Sequence, residues 1–357
     1  MQDNLSLTDV MTTIPSCFII AEAGVNHNGS LQLAMELIDI AADCCADAIK
    51  FQTFQADKLV RPGVSKADYQ KVTTGAGDQH SMLSALELSV EMHQQLFKHC
   101  AFRGIEFMST PFDPDSADFL LELGMRRFKI PSGEITNYPF LRHLARKDVP
   151  LILSTGMSTL SEIESAIDVI RTERTFCGFT EPLDHILTVL HCTSNYPASF
   201  SDVNLRAMQT IFQATNLPVG YSDHTLGISV SAAAVALGAT VIEKHFTTDK
   251  SLPGPDHKAS LEPPDLHSMV EQIRTIEMSL GSSIKEPALS EFPVRDLVRR
   301  SVTSSRDLSA GHPLQATDVC LLRPGTGIQP ADLSIVLGRS LKHPVTAGTT
   351  LQWSDFA

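Results

Sequence analysis

Short apolar runs alternate with amphipathic stretches along most of the chain. The runs are FIIAEAG (18–24), DAIKFQT (47–53), IEFMST (105–110), RFKIPS (127–132), PLILSTG (150–156), ILTVLHCT (186–193), LPVGYSD (217–223) and ATVIEKHF (239–246). Such short apolar runs, bounded by turn residues, read as buried strands of a parallel sheet. The stretches between them carry apolar residues at helical spacing. In SLQLAMELIDIAADC, for example, Leu31, Ala34, Leu37, Ile38, Ala41 and Ala42 fall on one face. Thr159 and Glu162 form a capping-box pair ahead of IESAIDVI and mark a helix start. Eight β/α alternations of parallel type in about 280 residues predict a TIM barrel, with an open doubly wound sheet as the alternative architecture.

After the helix-like stretch PPDLHSMVEQIRTIEMSLG the pattern changes. SSIKEPALSEFPV (282–294) reads as a linker between a barrel domain at 1–281 and a small domain at 295–357. Within the tail, SAGHPLQATDV (309–319) and TAGTTLQWSDF (346–356) repeat the pattern AGxxLQxxD, which predicts a compact β-rich module with two pseudo-symmetric halves. The segment 54–80 is long for a βα connection and carries Lys58, Arg61, Lys66, Lys71 and His80. It reads as a solvated lid whose residues stay outside the site.

The net charge of −13 lies in no long acidic or basic run, which argues against nucleic-acid and anionic-lipid partners. An anionic substrate must then be held by local cations. The start of the chain, MQDNLSLTDVMTTIPS, has neither a basic opening nor an apolar signal core, and no apolar stretch reaches membrane-spanning length. A cytoplasmic protein with no membrane association is expected. Cys17, Cys44, Cys45, Cys100, Cys177, Cys192 and Cys320 show no CxxC pair or metal-ligand spacing and read as reduced, mostly buried residues.

In a TIM barrel the active site lies at the C-terminal ends of the strands, and those ends are polar here. In order they offer Glu22, Lys50 with Gln52, Ser109 with Thr110, Lys129 with Ser132 and Glu134, Ser154 with Thr155, Thr193 with Asn195 and Tyr196, Ser222 with His224, and Glu243 with His245. His224 and His245 stand at the exits of two runs joined by GISVSAAAVALG (227–238), a stretch long enough for a crossover helix, so both should face one cleft. Lys50 and Lys129 sit inside otherwise apolar runs, which is costly unless an anion meets them. A phosphate or carboxylate ligand satisfies that demand. The plainer alternative is a lattice of rim ion pairs with Glu22 and Glu134. With no third His, Cys cluster or HExxH, a closed zinc site is disfavoured, and two histidines imply a labile Mn2+ or Mg2+ with positions open to water and substrate.

At FIIAEAGVNHNGS, DAIKFQTF, KIPSGE, LSTGMST, HCTSNYP, GYSDHTLG, ATVIEKHFT and LPGPDHKASLEP the sequence closely resembles the sialic acid synthase family, the phosphoenolpyruvate-condensing nonulosonate synthases. The resemblance implies a TIM barrel followed by an antifreeze-like (SAF) domain, and condensation of phosphoenolpyruvate with an open-chain N-acetylated hexosamine with release of phosphate. It implies that Lys50, Lys129, Ser132, Ser154, Asn195 and Ser222 hold phosphoenolpyruvate, and that His224 and His245 bind the divalent metal. Glu22, Gln52, Tyr196 and Asp256 resemble the groups that hold the acetamido sugar, and Glu134 and Glu243 match carboxylates near the reacting carbons. Arg323 in LLRPGTG matches an arginine that reaches a neighbouring subunit's sugar site, which implies a domain-swapped homodimer. The sugar is expected to be N-acetylmannosamine, giving N-acetylneuraminate, with 2,4-diacetamido-2,4,6-trideoxymannose, giving N,N'-diacetyllegionaminate, as the alternative. Two rivals are a metal-dependent aldolase or isomerase on the same barrel, and a carbohydrate-binding or ice-binding protein that uses the barrel as a scaffold.

Overall fold

The computed structural model describes residues 16–357, and the chain divides into two compact units after Gly281. The first unit holds eight parallel strands: β1 (Phe18–Gly24), β2 (Ala48–Thr53), β3 (Glu106–Pro111), β4 (Phe128–Ile130), β5 (Leu151–Ser154), β6 (Leu187–Cys192), β7 (Val219–Asp223) and β8 (Val241–His245). Hydrogen-bonded neighbours run in the order β3-β2-β1-β8-β7-β6-β5-β4, and β3 and β4 lie against each other at the seam. Helices follow the strands, which makes this a TIM-type barrel.

The strand period explains where the site lies. Ile20, Ala48, Met108, Ile152, Leu190 and Val241 form one buried cluster inside the barrel. Two residues further along each of these strands, on the same face, come Glu22, Lys50, Thr110, Ser154, Cys192 and Glu243. The barrel is thus plugged by an apolar layer, and the next inward layer is polar. Register fixes the levels: Glu22 lies opposite both Lys50 and His245, while Ser222 lies opposite Cys192 and Glu243.

Outside the strands, a larger cluster packs the helices onto the sheet. The helix α1 (Leu31–Asp43) buries Ala34, Leu37, Ile38 and Ala41, with Leu31 and Ala42 partly covered, so the face read from the sequence is the face that packs. Burying a side chain such as Leu37 or Ile38 is worth about 1.5–3 kcal/mol each. Thr159 accepts from Glu162 N at 3.3 Å while Glu162 accepts from Thr159 N at 2.7 Å, closing the capping box. The crossover after β7 is the helix Ser229–Ala236.

The connection from β2 to β3 is folded rather than open: it holds α2 (Ala56–Leu59), α3 (Asp68–Thr74), α4 (Gln79–Ser84) and α5 (Val90–Arg103). Lys66 pins it from within, its Nζ donating to Thr74 Oγ1 at 2.9 Å and to Gly75 O and Ala76 O at 3.3 Å.

The second unit begins with 282–288, a 3-10 turn at Leu289–Glu291 and a helix at Phe292–Val298, followed by the antiparallel pair β9 (Ser301–Ser304) and β10 (Val319–Leu322). The sequence repeat is a structural repeat. Leu314 and Leu351 are both buried, Gly311 and Gly348 both take positive φ, and both halves end in a 3-10 turn. Asp318 accepts from Gln315 N at 2.9 Å, and Asp355 accepts from Gln352 N at 2.8 Å. Among the described residues no helix is long and apolar enough to cross a membrane.

Candidate active site

A cavity of about 270 Å3 opens at the C-terminal ends of the strands. Eleven of the residues singled out from the sequence line it: Glu22, Lys50, Gln52, Lys129, Ser132, Ser154, Tyr196, Ser222, Glu243, His224 and His245. Glu134 and Asp256 line a second cavity that shares Gln52, Tyr196 and His245 with the first. Asn195 lines neither; it is exposed, and its Oδ1 accepts from Tyr196 N at 3.1 Å. Arg323 is exposed in the second unit, just beyond β10.

At the centre lies a buried lattice of charge. Lys50 Nζ is 2.6 Å from Glu22 Oε2 and 3.6 Å from Glu243 Oε2, and it donates to Thr110 Oγ1 at 2.8 Å. Lys129 Nζ is 3.3 Å from Glu243 Oε1, which also accepts from Ser222 Oγ at 2.9 Å. The lysines therefore share Glu243. Glu134 stands apart from the lattice and accepts from Asn137 Nδ2 at 2.6 Å, so the rim pairing considered for Lys129 and Glu134 does not form.

Burial pushes the Glu22 carboxyl up to about 7 despite Lys50 beside it. Burial works against ionisation of Glu243 too, but Lys129 and Lys50 outweigh it and hold that carboxyl below its ordinary range. Burial penalises the Lys50 ammonium, and Glu22 and Glu243 more than offset this and raise it. Asp256, also buried, is raised to about 6. One carboxyl near neutrality beside one firmly ionised is the arrangement that separates a proton carrier from a fixed charge.

The hydroxyls complete a cradle. Ser154 Oγ is buried with no hydrogen-bond partner in the protein, and Ser132 Oγ accepts from Gly156 N at 2.9 Å. Gly156 is required here, because a Cβ would run into Ser194 Oγ and Ser132 Oγ. An unmet buried hydroxyl beside two ammonium groups fits an anionic ligand.

The two imidazoles face one another with ring centres 5.7 Å apart, and Tyr196 lies 4.1 Å from the His224 ring and 5.6 Å from that of His245. His224 Nδ1 donates to Thr193 O at 2.7 Å, which fixes the ring and leaves the lone pair on Nε2. Burial, helped by His224 and Lys50, holds His245 well below its ordinary value, so its ring is neutral, and its Nδ1 is buried without a protein partner. The ring sits against Gly24, where a Cβ would approach it to 3.3 Å. Burial works against protonation of His224, but Cys192 and the bond to Thr193 outweigh it and raise that ring above its ordinary value. In its unprotonated form the His224 Nε2, together with the His245 Nδ1, fits a divalent cation, and among the described residues no third His, Cys, Asp or Glu groups with them.

Behind these histidines Asp223 and Lys244 form a fully buried ion pair at 3.0 Å. Asp223 also accepts from Thr225 N and Thr225 Oγ1 at 2.8 Å and from Ser231 Oγ at 2.7 Å, which ties the exits of β7 and β8 to the crossover helix.

The sequence reading placed Thr110 and Cys192 near the strand ends but left them out of the site. Both line the cavity, and both lie two residues beyond a plug residue, the signal that could have found them. Ser194, Phe112 and Met157 also line it, from loops whose course the strand pattern does not set.

The family described as NeuB matches residues 37–285, and the SAF domain matches residues 299–357. The chain belongs to the NeuB family, and it is an enzyme of the phosphoenolpyruvate-dependent synthase class. It is 56% identical over 339 residues to the N,N'-diacetyllegionaminic acid synthase of Legionella pneumophila, a match that covers 95% of this chain and 94% of that protein. It is 48% identical over 322 residues to the protein of the same name in Campylobacter jejuni, covering 90% of this chain and 94% of the other. Among solved structures, the N-acetylneuraminic acid (sialic acid) synthetase of Leptospira borgpetersenii superposes with a TM-score of 0.68 at 35% identity, covering 78% of this chain and 90% of that one. These relatives support the diacetyllegionaminate alternative better than the N-acetylneuraminate reading.

Proposed function

We propose that the chain condenses phosphoenolpyruvate with 2,4-diacetamido-2,4,6-trideoxymannose and water to give N,N'-diacetyllegionaminate and phosphate. The observation that carries the condensation is the pair of buried lysines beside an unpartnered Ser154 hydroxyl, set in one cavity with the His224 and His245 rings. The choice of sugar rests on the two diacetyllegionaminic acid synthases among its relatives.

In this reading Lys50 and Lys129 meet the phosphate and carboxylate, while Ser132, Ser154 and Ser222 supply hydroxyl donors around them. C3 of phosphoenolpyruvate forms the new bond to the sugar aldehyde carbon, water adds at C2, and phosphate leaves with cleavage of its C–O bond. His224 and His245 would hold a divalent Mn2+ or Mg2+, which supplies Lewis-acid polarisation of the aldehyde oxygen. Glu22, with its carboxyl near 7, can carry a proton at Oε1 or Oε2, whereas Glu243 stays ionised and pairs with both lysines. Gln52, Tyr196 and Asp256 would meet the sugar, a role supported by the cavity they line together with Glu134. Asn195 lines neither cavity, so it would have to move for its Nδ2 to donate to phosphoenolpyruvate. Arg323 of a second copy would complete the sugar site, making the active enzyme a homodimer.

Offering the enzyme both sugars at equal concentration, with phosphoenolpyruvate and Mn2+, tests the assignment by product mass. The trideoxy sugar is expected to supply most of the product, and a predominance of N-acetylneuraminate would reverse the choice.

A further inference from the structure

The cavity around the lysines continues into the second one, of about 380 Å3, along Gln52, Phe112, Gly133, Tyr196 and His245. The far wall of this second cavity is apolar, and it is built by the segment between β2 and β3. Leu59, Val60, Met82, Leu83 and Leu86 line it. Met82 and Leu86 belong to a buried cluster of their own with Val25 and Phe54, distinct from the barrel core, and Leu59 and Leu83 pack against it. Lys58, Arg61, Lys66, Lys71 and His80 line neither cavity, whereas Leu59, Val60, Gln70 and Gln79 of the same segment line the second. Lys58, Arg61 and Glu87 of this segment are exposed, whereas Leu59, Met82, Leu83 and Leu86 line the cavity.

The wall is held before any ligand arrives. Besides the Lys66 contacts, Asp78 accepts from Gly63 N at 2.7 Å and from Ser81 N at 2.9 Å, and Glu87 accepts from Ala56 N at 2.6 Å. A preformed apolar wall favours a ligand that brings apolar groups to it.

The two candidate sugars differ in that respect. N-acetylmannosamine carries hydroxyls at C4 and C6, and a hydroxyl turned towards Leu59, Met82 and Leu86 loses water without gaining a partner. The trideoxy sugar carries an acetamido group at C4 and a methyl at C6. Its two methyl groups gain by leaving water against those apolar side chains, while Gln70 and Gln79 on the same cavity can meet polar groups of either sugar.

We propose that Leu59, Met82 and Leu86 form the specificity wall of this enzyme, selecting a 4-acetamido-6-deoxy sugar over its hydroxylated counterpart. The inference rests on the condensation proposed above and assigns its choice of sugar to the β2–β3 segment.

The test compares kcat/KM for the two sugars at saturating phosphoenolpyruvate in the wild type, in Leu59→Gln and in Met82→Gln. Leu59 is only partly buried, so its variant decides the matter if Met82→Gln does not fold. The wild type is expected to prefer the trideoxy sugar, and each variant to cut that preference about 10-fold or more, chiefly by losing efficiency on the trideoxy sugar. A folded Leu59→Gln enzyme whose preference stays within about twofold of the wild type overturns the wall while leaving the condensation intact. A wild type that prefers N-acetylmannosamine overturns the wall together with the assigned sugar.

Discussion

Lys129 has Glu243 at 3.3 Å, and that carboxylate keeps Lys50 at 3.6 Å and the Ser222 hydroxyl at 2.9 Å when Lys129 is replaced. Lys129→Met therefore removes a cation from the cavity without stranding its partner. Phosphate release should fall about 100- to 1,000-fold, while the thermal unfolding profile stays close to that of the wild type. Release near the wild-type rate would show that Lys129 does not meet substrate. Residues such as this one were legible because a lysine inside a buried run has to be explained, and because strand geometry aims every second side chain into the barrel. Asn195 was harder to place, since it sits on a loop after β6 where no period applies and its side chain turns back to its own backbone. Glu134 likewise follows β4 in a 3-10 turn, which carries it beside Asn137 and away from Lys129.

Among the elements, all eight strands were visible as apolar runs, because a parallel strand covered on both faces has little room for polar residues before its exit. The helices α2, α3 and α4 were not, because each is too short, at 4, 7 and 6 residues, to show a helical period around inward-facing residues such as Leu59 and Met82. In the second unit the repeated AGxxLQxxD pattern became two matching turns, and one of its aspartates gives a pH test. His312 Nε2 at 2.7 Å, together with Gln315 N and the Arg306 guanidinium at 2.6 Å, holds the Asp318 carboxyl down to about 2 from an ordinary 3.8. A carboxyl depressed by folding stabilises the folded form above its unfolded value, and that contribution is lost as the pH falls through the folded value. Stability from Asp318 should thus be complete above pH 3.8 and decline towards pH 2. The chain's single tryptophan, Trp353, lies in the same unit and reports the loss by fluorescence. Asp318→Asn should lower the stability of this unit at neutral pH and flatten its response over that acid range; an unchanged response would rule Asp318 out as its source.

For the whole molecule, the NeuB match at residues 37–285 spans most of the barrel and the SAF match at 299–357 covers the tail, in keeping with the two compact units. If Arg323 serves the site of a second copy, Lys129→Met and Arg323→Ala chains should each be impaired alone and regain activity when co-refolded, because one site in the mixed dimer has both residues intact. Mixed chains no more active than the separate variants would place Arg323 in its own chain's site or in none. The sugar was the least legible feature of the sequence, since the strand-end motifs suit either substrate and the discriminating side chains lie in a segment whose inward face no repeat reveals. The condensation itself is read most directly from phosphate release by the full chain. Release is predicted only when phosphoenolpyruvate, the diacetamido trideoxy sugar and Mn2+ or Mg2+ are all present, one phosphate for each sugar consumed; release without the sugar, or sugar consumed without it, would contradict the account.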